Sequence, residues 1–88
     1  MTPSQERGRA YLMLRMPTYR AAFQALVADQ VFLDICEAYD LAHTGMEYWS
    51  GSEQAVRDKM IADYRELLIS LESDARNRAA SQGHGHGP

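Results

Sequence analysis

The sequence predicts an all-α fold: an antiparallel helical hairpin preceded by one or two shorter N-terminal helices, closed into a bundle. Three observations predict it. Between Asp29 and Trp49, Phe32, Ile35, Tyr39, Ala42, Met46 and Trp49 recur at spacings of three and four, the period of one helical seam. Ser50-Gly51-Ser52 then interrupts the pattern. A second apolar stripe follows, with Met60, Ile61, Tyr64, Leu67, Leu68, Leu71 and Ala75 on one face of a helix from Glu53 to about Ala79.

The first helix starts at Thr2-Pro3-Ser4-Gln5. Thr2 suits an N-cap, Pro3 the first helical position, and Gln5 the reciprocal place of a capping box. It ends near Arg15, because the residue before Pro17 is driven out of the α region. Gly8 in its interior costs roughly 1 kcal/mol relative to alanine, so this helix is expected to be weakly held. Tyr19, Ala22, Phe23, Leu26 and Val27 form the next stripe. At 100° per residue this stripe and the one after it point about 150° apart on a continuous helix. A break at Ala28-Asp29-Gln30, with Asp29 as a new N-cap, lets both face one core.

The central helix, about 20 residues, is expected to be roughly 30 Å long, and Gly45 inside it either weakens the last turn or admits a close neighbour. Ser50-x-x-Glu53 has capping-box spacing, with Ser52 as a rival cap. Along the final helix, Glu53 with Arg57, Glu72 with Arg76 and Asp74 with Arg78 have i,i+4 spacing with the acid first. Residues 1–80 make a single helical domain by this reading. Residues 81–88 make a Gly/His tail with nothing to bury, expected to be disordered.

Charge is segregated. Residues 1–20 carry four arginines against Glu6 alone. Residues 21–56 carry six acids and no lysine or arginine, and residues 57–88 carry five charges of each sign. The acidic central helix disfavours nucleic acid, which needs cations to neutralise phosphate. Only the Arg7–Arg20 segment retains a nucleic-acid or acidic-lipid option. No apolar run has the roughly 18–20 residues of a membrane span. The single cysteine, Cys36, excludes an internal disulfide and fits a reducing, cytoplasmic setting.

Two stretches of this hairpin share a pattern with other chains. Leu33-Asp34-Ile35-Cys36-Glu37-Ala38-Tyr39-Asp40 and Asp63-Tyr64-Arg65-Glu66-Leu67 resemble a group of small proteobacterial helical proteins. In that group a C-E-x-Y-E/D helix precedes an E-Y-R-x-L helix. The likeness spans Asp29 to Asp74 and has Asp63 where the pattern has Glu. It implies a helical hairpin and no catalytic or cofactor chemistry.

Asp40, His43 and Glu47 share a helical face and have the carboxylate-x-x-His spacing of half a di-metal bundle site. A complete site needs a second copy and further glutamates, so a solvated acidic face is favoured. Cys36 and His43 stand about 10 Å apart along the axis, too far for a nucleophile and its base. Cys36 reads as a half-buried apolar side chain. His84 and His86 make at most a loose Ni²⁺ or Cu²⁺ site. No cofactor is expected. One hairpin interface leaves Leu33, Leu41 and Ile69 partly open, with Trp49 beside them. The expectation is a non-enzymatic interaction protein, an adaptor or regulator, working as a homodimer or on a protein partner. The alternative is a metal- or redox-linked protein using the Asp40–His43–Glu47 face with Cys36.

Overall fold

The computed structural model describes residues 1–84, with side chains through Ser81. Every regular element among them is helical: α1 (Pro3–Arg15), a 3-10 turn (Pro17–Tyr19), α2 (Arg20–Ala25), α3 (Gln30–Ser50) and α4 (Arg57–His84). α3 and α4 form the hairpin, and α1 packs along one side of α3. The molecule is elongated, 55 × 23 × 20 Å.

α1 begins with the capping box that the sequence indicates. Thr2 Oγ1 accepts from Gln5 N at 3.2 Å, and Gln5 Oε1 accepts from Thr2 N at 2.9 Å. The helix stops at Arg15, one residue before the Met16-Pro17 bond, as the proline requires. The break before α3 also forms. α2 ends at Ala25, and Asp29 caps α3 by accepting from Phe32 N at 2.9 Å. The bend folds most of both stripes into one core, with Phe23 and Phe32 stacked at a centroid distance of 5.3 Å; Val27 lies past the end of α2 and is exposed.

That core is Leu12, Phe23, Leu26, Phe32, Cys36, Tyr39, Ala42, Leu68, Leu71, Ala75 and Ala79. Phe23, Phe32, Leu12 and Cys36 are fully enclosed. Burial of each large apolar side chain contributes roughly 1.5–3 kcal/mol.

Several expectations are corrected. Gly8 does not weaken a loose helix; it is buried at the closest approach of α1 to α3. A Cβ there would lie 1.7 Å from the carbonyl oxygen of Cys36. The missing side chain is what lets α1 dock, so its low helix propensity is offset by packing. Gly45 plays the second of its two expected roles: a Cβ would lie 2.5 Å from the Tyr64 ring.

α4 starts at Arg57, not Glu53. The Ser50 hydroxyl donates back to Met46 O at 2.8 Å, and Ser52 Oγ accepts from Gln54 N. Both candidate caps are thus engaged elsewhere, and Gly51–Val56 forms turns. α4 then runs to His84, four residues past the Ala80 boundary. Gly85–Pro88, with His86, lie outside the described residues, as does the side chain of His84.

The expected i,i+4 pairs of α4 do not form, and Glu72, Arg76 and Arg78 make tertiary contacts instead. Arg78 forks onto Asp29 at 2.7–3.1 Å. Glu72 accepts from the Tyr39 hydroxyl at 2.8 Å and faces Arg15 Nε at 3.5 Å. Arg76 Nη1 donates to the sulfur of Met16 at 3.3 Å. Arg57 pairs with Asp58 instead of Glu53.

Candidate functional site

The polar residues of α3 were the candidates for chemistry, and α1 decides their fate. Asp40 is buried rather than solvated. Ser4 Oγ donates to its Oδ2 at 2.8 Å, and Arg7 donates through Nε and Nη2 at 3.1 Å each. The Arg7 guanidinium, with the Ser4 hydroxyl, holds the Asp40 carboxyl below the usual carboxylate range against the opposing pull of burial. The basic first twenty residues therefore serve acids of the same chain: Arg7 meets Asp40 on α3 and Arg15 meets Glu72 on α4.

His43 is turned towards α1 as well. Its ring stacks on Tyr11 at 4.0 Å, with the planes 8° apart. His43 Nδ1 lies 2.9 Å from Glu47 Oε1 but lacks the alignment of a hydrogen bond. Asp40, His43 and Glu47 consequently do not converge. Among the described residues no group of three histidine, cysteine, aspartate or glutamate side chains is arranged to hold a metal ion. The face was expected to be solvated; docking of α1 removes Asp40 from it.

Cys36 lies under Gly8, fully enclosed rather than half-buried. Burial pushes its thiol up to about 12, and the nearby charge of Arg9 only partly opposes this. A thiol held protonated is a poor nucleophile and a poor metal ligand. Tyr39 is raised too, first by burial and then by its hydrogen bond to Glu72.

The four residues proposed for contact separate. Leu33 is buried, because it shares the side of α3 that carries Cys36 and Asp40 and that α1 covers. Trp49 is half-buried, with the edge of Tyr48 against it at 5.3 Å. Leu41 is 63% exposed and Ile69 56% exposed. Tyr48, as exposed as Leu41, was missed; its signal was the seven-residue spacing from Leu41 on the outer face of α3. Val31 and Ile35 form the apolar floor of an open groove of about 400 Å³ between α3 and α4, rimmed by Asp74, Asn77, Arg78 and Ser81. Arg78 is already committed there to Asp29.

No helix among the described residues is long and apolar enough to cross a membrane. Comparison of the chain with family models, with curated proteins and with solved structures finds no match.

Proposed function

We propose that this chain is a non-enzymatic helical interaction protein, an adaptor or regulator, which works as a homodimer in a reducing, cytoplasmic setting. The observation that carries this reading is the set of large apolar side chains left in water along the hairpin. Val31, Leu41, Tyr48, Leu67 and Ile69 are all exposed on α3 and α4, away from the core. Exposed apolar area of this kind on a small monomer marks a contact surface. The polar groups that would serve catalysis are committed to structure instead: Asp40 to Arg7, Glu72 to Tyr39 and Arg15, Cys36 to the core.

The resemblance to small proteobacterial helical proteins is retained as part of the proposal, on Cys36-Glu37-Ala38-Tyr39-Asp40 and Asp63-Tyr64-Arg65-Glu66-Leu67.

Light scattering at micromolar concentration is the direct test. The expected mass is twice the monomer's 9.9 kDa. A monomeric mass, or stoichiometric metal in untagged protein purified without added metal, counts against the reading.

A further inference from the structure

We infer that two copies of the chain pair antiparallel through the outer face of α3, with the two-fold axis passing beside Leu41. This rests on the interaction reading above and names its surface. Gln30, Asp34, Glu37, Leu41, Thr44 and Tyr48 follow one another at spacings of four and three, and all six are exposed. They form a continuous helical stripe. The side of α3 bearing Cys36 and Asp40 is covered by α1, and the side bearing Tyr39 and Gly45 by α4. The outer stripe is the face that neither covers.

Its composition selects the occupant and the direction. Residues 21–56 contain no lysine or arginine. A parallel pair would set Asp34 and Glu37 against their own copies with no cation between them. An antiparallel pair centred on Leu41 does the opposite. Leu41 meets the partner's Leu41. Asp34 comes level with the partner's Tyr48, and Glu37 within one residue, about 1.5 Å along the axis, of the partner's Thr44. A phenol and a hydroxyl then donate to two carboxylates, in the charge-assisted class of hydrogen bond. Two-fold symmetry makes each contact twice, which is the self-complementarity an isologous interface requires. A basic partner helix could neutralise Asp34 and Glu37, but the donors on Thr44 and Tyr48 would then have no matching role. The stripe supplies donors for its own acids at the symmetric positions.

The stripe is about 27 Å long at 1.5 Å per residue. One helical face of that length falls below the roughly 800 Å² per partner of a standard interface.

The test uses the full chain with three variants. Sedimentation velocity of the unaltered protein should show a concentration-dependent dimer. Leu41→Lys, at an exposed position, should weaken dimerisation by about tenfold or more, while Leu14→Lys at an exposed position of α1 leaves it unchanged. Leu41→Cys should give a disulfide-linked dimer under copper-phenanthroline and air. The unaltered protein, whose Cys36 is enclosed, should give none. Circular dichroism verifies folding; should Leu41→Lys unfold, the cross-link decides alone. A dimer that is indifferent to Leu41→Lys and does not cross-link through Leu41→Cys overturns this inference and leaves the interaction reading standing. A monomer at every concentration overturns both.

Discussion

The two ends of the hairpin are built differently. At the base, α1 and α2 join the N-terminal half of α3 and the C-terminal half of α4, and the enclosed side chains lie there: Leu12, Phe23, Phe32 and Cys36. α1, α3 and α4 are pinned there by polar contacts to buried or half-buried carboxylates, Arg7 to Asp40, Arg15 to Glu72 and Arg78 to Asp29. At the tip, the last turns of α3 meet the first turns of α4 with no third helix. Met46, Trp49, Met60, Ile61 and Tyr64 are only half-buried there. The ion pair at that end, Lys59 to Asp63 at 3.0 Å, is exposed. Helical pattern alone does not distinguish these ends, since the apolar stripe runs unbroken from one to the other. What differs is whether a third helix closes over it.

The largest effect to follow concerns thiols at the two kinds of surface. Cys36 lies at the base, where burial raises its pKa from 9.0 to about 12. Its thiolate population at neutral pH is lower by on the order of a thousandfold. Native protein should therefore alkylate that much more slowly than unfolded protein. A thiol placed at the open tip by Val56→Cys should react at close to the unfolded rate. Rapid native modification of Cys36 would mean that α1 lifts away from α3 far more often than its packing implies.

The next effect separates the two interior glycines. Gly8→Ala gains roughly 1 kcal/mol of helix propensity, but its Cβ meets a backbone carbonyl that cannot swing aside. The expected result is a net loss of about 1–3 kcal/mol, the cost of overpacking a tight site. Gly45→Ala gains the same propensity and meets only the Tyr64 ring, on a half-buried side chain that can move. Its net effect should be near zero. Thermal or urea unfolding of the two variants gives the difference. Equal losses would show that the tip is packed as rigidly as the base.

Much of this was legible in the sequence. The Thr2 capping box, the stop before Pro17, the break at Asp29 and the two-helix hairpin follow from local chemistry, which acts over a few residues. What the sequence concealed is long-range. Nothing local shows that Gly8 lies against Cys36, and propensity alone reads it as a defect. Asp40 and Glu72 read as surface acids because their partners, Arg7, Ser4, Arg15 and Tyr39, are more than thirty residues away. The segregation of charge between the N-terminus and α3 was visible, and its meaning was intramolecular. The start of α4 was misplaced because two serines compete for the cap, and only the structure shows that Ser50 turns back onto Met46.

The smallest effect is acid lability, and it too should divide base from tip. Asp29 and Asp40 have pKa values held below the ordinary 3.8: Asp29 first by the hydrogen bonds from Arg78 and then by the Phe32 N–H, Asp40 first by Arg7. A carboxyl whose folded pKa is depressed stabilises the fold fully above its unfolded value, and loses that contribution as pH falls through the folded value. Stability should thus be flat above about pH 5 and decline as pH drops below about 4. Asp40→Asn should flatten this decline, because its amide does not titrate. Arg7 is more than half exposed, so solvent screens its share of the effect. At the tip, Asp63→Asn should cost at most a few tenths of a kcal/mol, the worth of its exposed i,i+4 pair with Lys59. Urea midpoints at pH 5 and pH 3 for the three proteins measure this. If Asp40→Asn keeps the full slope, the Arg7–Asp40 pair of α1 with α3 does not carry the acid sensitivity of the base.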